Sequence, residues 1–400
     1  MGIQISRRVA QLEPSETLAI TAKAKKLRAE GKDVLGFGAG EPDFETPKYI
    51  NDAAKAALDA GFTKYTPASG IDELRAAVAD QFFVHNGVRI KPSQVLISCG
   101  AKHALANAMM ALLQEGDTAL VPAPYWVSIP AQIKLACAEP KILYTDESTG
   151  FKITPAQLKQ NLSPDVKMIY LNSPNNPTGA VYTKPELEEL SDILRSYPHV
   201  AILSDEIYNS LVYDNLQMIS FLAIAPDLAD RIIVFNGVSK SYSMTGWRIG
   251  WAIGPENVIA GMGKLQSQVT SNPTSFAQKG ALAAITCEHA DLAKWVAEFD
   301  RRRKLSVQGF CSIPDISCRM PEGAFYIFPK VSKYYGKALD GIAITGSASM
   351  CDALMERAGV ALIPGAAFGT DEYLRFSYAA SEDAIKKGIS RIQNAFARMK

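Results

Sequence analysis

Metal-ligand spacing is missing from this chain. Its 6 cysteines and 4 histidines are scattered, with no CxxC pair, so spacing assembles no zinc site. Charge of one sign is also missing. The net charge is +1, which favours neither nucleic acid nor a charged membrane surface as a partner. No apolar run approaches the ~20 residues that span a bilayer. The opening stretch MGIQISRRVAQLEPSE has two arginines but no apolar h-region, so a secretory signal is not expected. Scattered free thiols fit a reducing compartment, and a cytoplasmic location is the expectation. Repeats and low-complexity linkers are absent. A dinucleotide fingerprint is absent too. The glycines at 36, 38 and 40 do not make GxGxxG, and Pro42 stops a helix from opening after them.

What remains is an ordinary globular composition, 48% hydrophobic and 21% charged over 400 residues. That length exceeds what one core usually supports, so two domains are expected. Ser15 to Glu30 reads as a helix with a loose stripe of Leu18, Ala22 and Leu27, stopped by Gly31. A short strand follows from Asp33 to Phe37. Helices are predicted from about Ile71 to Asn86 and after Gly100 through Leu113. Strands are predicted at Gln94–Ser98, Thr118–Val121, Pro140–Tyr144, Lys167–Leu171, Val200–Leu203 and Ile232–Phe235. A helix from Tyr125, a short one before Lys167, and one at Lys184–Ser196 lie between them. Strands alternating with helices argue for a mostly parallel sheet covered on both faces. Arg248 is placed on a further short strand, Trp-Arg-Ile-Gly.

Beyond it the pattern turns helical at Glu256–Val269, Ser275–Ile285 and roughly His289–Phe310. The run Asp300-Arg301-Arg302-Arg303-Lys304 reads most simply as a solvated helix face. Short strands (Gly323–Phe328, Val360–Ile363, Tyr373–Ser377) then mix with helices near Ser347–Ala358 and Glu382–Met399. This change from α/β to α+β marks a second domain. The N-terminal helix and strand are assigned to it, giving 47–298 for the large domain and 1–46 with 299–400 for the small one.

In open α/β sheets ligands gather at the carboxyl ends of the strands. Four strand ends here deliver polar groups. Gly100-Ala101-Lys102 follows Ile97-Ser98 and opens a helix, which makes a ready anion site. NSPNNPTG (Asn172–Gly179) follows Met168–Leu171. Ser204-Asp205-Glu206 follows Ala201-Ile202-Leu203. Lys240 follows Val234-Phe235 within VSKSYSMTGWRIG (Val238–Gly250). A lysine ending a buried strand is penalised by desolvation, and a lowered pKa makes it an amine nucleophile for carbonyl compounds. A solvated surface lysine beside a loop is the plainer alternative. Arg375, in the alternating Arg-Phe-Ser-Tyr, reads equally as a surface arginine on an edge strand.

Taken together, AGEPDF (Ala39–Phe44), KYTPASG (Lys64–Gly70), PAPYWVS (Pro122–Ser128), NSPNNPTG, SDEIY (Ser204–Tyr208), SKSYSMTGWRIG, PGAAFG (Pro364–Gly369) and LRFSYA (Leu374–Ala379) resemble the fold-type I pyridoxal-phosphate aminotransferases of class I. The likeness is to the Iβ aspartate aminotransferases and runs almost end to end. It implies a large α/β domain with a mostly parallel seven-stranded sheet between helices, and a smaller α+β domain. It also implies a homodimer using pyridoxal 5′-phosphate to move an amino group between L-aspartate and 2-oxoglutarate by a ping-pong route. Prephenate or aromatic amino acids, singly or with aspartate, remain alternatives on the same scaffold, and a β-elimination lyase is a further one.

Carried over residue by residue, Lys240 matches the lysine that holds the cofactor and shuttles a proton. Asp205 matches the carboxylate at the pyridine nitrogen, and Asn176 and Tyr208 the residues at the ring hydroxyl oxygen. Trp126 matches the stacking aromatic, though core packing would explain it alone. The amides of Gly100, Ala101 and Lys102, with Ser239 and Arg248, match the phosphate set. Tyr65 matches a tyrosine that reaches the phosphate of the partner subunit. Arg375, with the Gly38 and Gly40 backbone, matches the site for the substrate α-carboxylate. Ser15, Thr17 and Lys102 match the contacts to the distal carboxylate. Lys102 has a rival role as a phosphate counter-charge, and Ser15 as a helix cap. Ala101, His103 and Asn209 depart from the usual glycine, glutamine and glutamate, which bears on the acceptor range. The Asn176–Pro177 bond is expected to be cis.

Overall fold

Seven apolar runs form one sheet in the computed structural model, which describes residues 3–14 and 16–400. They are β1 (Val95–Ser98), β2 (Thr118–Ala123), β3 (Glu139–Tyr144), β4 (Val166–Asn172), β5 (Ala201–Asp205), β6 (Ile232–Gly237) and β7 (Gly250–Ile253). The spatial order is β1-β7-β6-β5-β4-β2-β3. All neighbours run parallel except β7, which is antiparallel to both β6 and β1. Side chains alternate across a strand, and here both faces are buried. Val95, Ile97, Ile202, Val234 and Ile253 enter one core cluster, while Leu96, Leu203, Ile233, Phe235 and Ala252 enter another. Such two-sided burial needs near-continuous hydrophobic runs, which the inner strands supply, while the edge strand β3, Glu-Pro-Lys-Ile-Leu-Tyr, is largely exposed.

A third cluster is built mainly from Phe299 to Met399 and takes in Phe37 and the Ile207–Tyr213 stretch that follows β5. Its three-stranded antiparallel sheet has Leu374–Ser377 in the middle, between Ile363–Pro364 and Tyr326–Ile327. Leu35–Gly36 pairs in parallel with Val360–Ala361.

Several sequence expectations change. Arg248 is not on a strand. It follows a short 3-10 turn, Thr245–Trp247, in the left-handed region (φ 57°, ψ 48°), and β7 starts at Gly250. The reason is close approach, since a Cβ on Gly250 would lie 2.3 Å from the Ala101 nitrogen. Arg302 and Arg303 are buried, against the expected solvated face. Arg302 pairs with Asp43 at 2.7 Å and Glu298 at 2.8 Å, and Arg303 with Asp214 at 2.8 Å. Asp43 and Asp214 lie on distant segments and Glu298 one turn back on the same helix, and together they satisfy the buried charges. Arg375 is 3% exposed, because its strand is central rather than an edge.

A short helix at Arg7–Ala10 precedes the helix Glu16–Ala29, which buries Ala24 between partly buried Ile20 and Leu27, while Ala22 is exposed. The helix expected from Tyr125 starts at Ser128. A helix at Lys48–Asp59, absent from the sequence reading, buries Ile50, Ala54 and Ala57. Its buried i, i+4, i+7 positions are one isoleucine and two alanines, with polar residues on the opposite face. No helix among the described residues is long and apolar enough to cross a membrane.

Candidate active site

Pairing places the polar strand ends together. Asn172 on β4 is the register partner of Asp205 on β5, which pairs with Phe235 on β6. Gly250 faces Ser98 on β1 and Gly237 on β6, so the start of β7 lies at the same edge. A cavity of about 420 Å³ opens there, against the C-terminal cluster. Thr17, Gly40, Ala101, Lys102, Trp126, Asn176, Asp205, Tyr208, Ser239, Lys240, Arg248 and Arg375 all line it. Gly100 is the residue before the helix Ala101–Leu112 at its rim. Tyr65 is not in this cavity and is 91% exposed. Ser15 lies outside the described residues. Among the described residues no cluster could hold a metal ion.

Lys240 follows β6 and reaches back across the cavity. Its amine donates to the Gly40 carbonyl and lies 5.8 Å from the Tyr208 ring centre. Enclosure by protein pushes its pKa down to about 8, with Arg375 and Arg248 adding to the effect and Glu41 and Asp205 opposing it. Asp205 ends β5 and is buried. It accepts from the Tyr170 hydroxyl at 2.8 Å and the Ile207 amide at 3.2 Å. Burial raises its pKa to about 6, which these bonds and Lys240 partly offset. It is therefore ionised at neutral pH.

The NSPNNPTG turn is held by Asn172. Its side chain donates to the Asp205 carbonyl at 3.0 Å and accepts from the Asn176 amide at 2.9 Å. Asn176–Pro177 is cis, as expected, and so are Ala123–Pro124 and Ser173–Pro174. Asn176 Oδ1 accepts from Arg375 Nη1 at 2.9 Å, while Arg375 Nη2 donates to the Gly38 carbonyl at 2.7 Å. The Arg375 Nε has no hydrogen-bond partner among the described residues. Its guanidinium lies 4.5 Å from the Tyr326 ring centre and 5.0 Å from that of Phe368. Among the described residues it makes no ion pair. A buried cation without a counter-charge is costly, so this end of the cavity suits a carboxylate, bound through the planar fork.

The opposite end suits a second anion. The helix Ala101–Leu112 begins after Gly100 with no side-chain cap, which leaves its N-terminal amides and dipole facing the cavity. Arg248 is held over this end by Thr245 O at 2.9 Å and Cys99 O at 3.2 Å. Gly100 has φ 88°, and a Cβ there would lie 2.6 Å from Arg248 Nη2. Glycine is the residue that fits both constraints. Lys102 lies 5.3 Å from the Trp126 ring centre. Burial, then Arg248, lowers its pKa.

The sequence reading missed Tyr326, whose hydroxyl lies 2.7 Å from that of Tyr208, and Glu41, which accepts from the Thr245 hydroxyl at 2.9 Å. Tyr326 sits in an apolar run that reads as core, so no local signal marked it.

A sequence model described as aminotransferase class I and II matches residues 32–392. The chain belongs to this family. It is similar to an aspartate/prephenate aminotransferase of Cereibacter sphaeroides, 45% identical over 97% of this chain and 98% of that one. An aspartate aminotransferase of Geobacillus stearothermophilus is 44% identical, covering 98% of each. The solved structure of an aspartate aminotransferase from Rhizobium meliloti superposes with a TM-score of 0.96 at 39% identity over the whole of both chains. As a class I/II aminotransferase the chain is an enzyme of the fold-type I architecture, and its seven-stranded sheet fits that assignment. The donor set suits the family's cofactor, pyridoxal 5′-phosphate. A buried amine, an ionised carboxylate, an indole and an anion cradle share one cavity.

Proposed function

We propose that this aminotransferase moves the amino group of L-aspartate to 2-oxoglutarate in a ping-pong reaction, with pyridoxal phosphate held at Lys240. The observation that carries this reading is the single cavity joining the enclosed Lys240 amine to the buried, unpaired Arg375 guanidinium. The full-length relatives, named for aspartate, support the substrate. The bound cofactor supplies an electron sink for the charge that develops at the substrate Cα.

The chain's residues do the rest. Asp205 would hold a proton at the ring nitrogen. Tyr208 and Asn176 would donate to the ring hydroxyl oxygen, and Trp126 would cover the ring. The first amides of the helix Ala101–Leu112, with Gly100, Ser239 and Arg248, would bind the phosphate. Arg375 would bind the α-carboxylate beside the Gly38 and Gly40 backbone. Lys240, with its pKa near 8, is a base placed to move a proton at Cα. Thr17 and Lys102, together with Ser15, would meet the distal carboxylate.

The proposal includes a homodimer in which Tyr65 reaches the partner's phosphate site. Its nearly complete exposure is consistent with that. It also divides the chain into 47–298 and 1–46 with 299–400, in keeping with the separate core clusters. A cytoplasmic setting fits the free cysteines. Prephenate is a second amino acceptor to test, because the Cereibacter sphaeroides relative is named for both substrates.

An absorption spectrum tests the reading directly. Aspartate should shift the visible band of the loaded protein to shorter wavelength, and 2-oxoglutarate should restore it. A band that ignores aspartate and responds to an aromatic amino acid would reject the substrate.

A further inference from the structure

The geometry points to Tyr326 as a positioning residue that keeps Tyr208 a hydrogen-bond donor toward the cofactor and ties it to the charge at Arg375. This inference rests on the aminotransferase reading above. Tyr326 is wholly buried and its strand pairs with the one carrying Arg375, with Ser377 and Tyr326 in register. The two phenol oxygens are 2.7 Å apart, so one proton lies between them. Each hydroxyl has a single proton to give. If Tyr208 gave its proton to Tyr326, it would have none left for the cavity. If Tyr326 gives, the Tyr208 proton is free.

Two features favour the second arrangement. Burial raises the Tyr326 pKa, but the Arg375 guanidinium, 4.5 Å from its ring centre, offsets part of that rise and makes Tyr326 the better donor of the two. Burial, then Tyr326 itself, push the Tyr208 pKa well up, with Asp205 adding and Arg375 opposing, so Tyr208 is the weaker acid. The charged groups facing the pair are Asp205, Lys240 and Arg375 at Tyr208, and Arg375 and Glu41 at Tyr326. Hydrogen bonds in such a chain strengthen one another. A carboxylate arriving on Arg375 neutralises the charge behind Tyr326 and weakens its donation. Tyr208 then donates less strongly in turn. The substrate carboxylate is thus felt at the ring oxygen through two phenols.

The test loads the wild type, Tyr326→Phe, Tyr208→Phe and the double variant with pyridoxal phosphate. The visible band is titrated with pH, with and without maleate as an unreactive dicarboxylate. Phenylalanine at 326 keeps the ring beneath Arg375 and removes only the hydroxyl. Donors at the ring oxygen favour the deprotonated form of the Lys240-linked cofactor. The Tyr326→Phe midpoint is therefore expected to rise by about one pH unit, and the upward shift caused by maleate to shrink. In the Tyr208→Phe background the same substitution is expected to change neither, which a merely structural role would not produce. An unchanged midpoint in Tyr326→Phe, or a shift that persists without the Tyr208 hydroxyl, overturns the inference. A wild type that takes up no pyridoxal phosphate overturns the functional reading with it.

Discussion

Arg375 Nη1 donates to Asn176 Oδ1 at 2.9 Å, joining residues 199 positions apart in the chain. The bond sets the orientation of the Asn176 amide, because its oxygen faces the arginine and its NH₂ is left to donate elsewhere. The arginine proposed for the substrate carboxylate thus also aims a ligand at the proposed ring site. Arg375→Lys keeps a charge but loses the fork. Its kcat/KM for aspartate is expected to fall by about 10²-fold, with two hydrogen bonds lost. Initial rates with a series of aspartate concentrations check this, and a fall of less than tenfold would remove Arg375 from carboxylate binding.

Lys240→Ala is expected to lower turnover by about 10⁴-fold or more, since both the covalent hold and the base are lost. The far-ultraviolet circular dichroism should be unchanged. Turnover comparable to the wild type would refute the assignment.

Asp205 gives a signed pH prediction. Its folded pKa, about 6, is above its ordinary 3.8. The folded state therefore binds the extra proton between those values, and stability from this group falls as pH rises through that window. Lys240 is the opposite case. Its folded pKa is about 8 against 10.5, so the unfolded chain binds the extra proton, and stability rises from about pH 8 toward 10.5. In the cofactor-free protein, Asp205→Asn is expected to remove the fall between pH 4 and 6, worth about 2–3 kcal/mol at most. Melting temperatures of both proteins across that range decide the matter. Parallel curves would contradict it.

Gly100→Ala should weaken cofactor binding by about tenfold. The new methyl group meets Arg248 Nη2 at 2.6 Å, and φ 88° is strained for any side chain. Titrating the cofactor-free protein with pyridoxal phosphate, followed by fluorescence quenching, measures the change. Equal affinity would show that Arg248 does not depend on this glycine.

Tyr65 carries the dimer proposal. Light scattering should give twice the chain mass. Tyr65→Phe is expected to loosen cofactor retention by about tenfold without altering that mass, as one lost hydrogen bond to a charged group predicts. A monomer, or a variant that retains cofactor as the wild type does, would count against a site completed by the partner.

Local pattern was enough for the sheet and for much of the site. Val95–Ser98, Ile232–Phe235 and Ala201–Leu203 are apolar runs, and both-sided burial requires such runs in a parallel sheet. Lys240, Asp205 and Asn172 stand just where those runs stop, so their place at the carboxyl edge was legible. Most of the polar cavity residues stand in the quoted motifs, whereas the role of Tyr326 and of Glu41 was not read from them. What was not legible depends on which distant segment lies opposite. Arg302 and Arg303 read as solvated because Asp43 and Asp214 are 259 and 89 residues away. Arg248 read as strand because nothing nearby announces that Gly250 must leave room for Ala101.

The sequence alone therefore determined the alternation of strands and helices, the stops of the strands and the chemical types available at them. Periodicity and desolvation act on a residue and its near neighbours. Only the tertiary structure decided that Arg375 is buried on a central strand, that Tyr326 meets Tyr208, and that two cationic ends face one cavity. Those outcomes depend on close packing and charge pairing between remote segments, which no local pattern encodes.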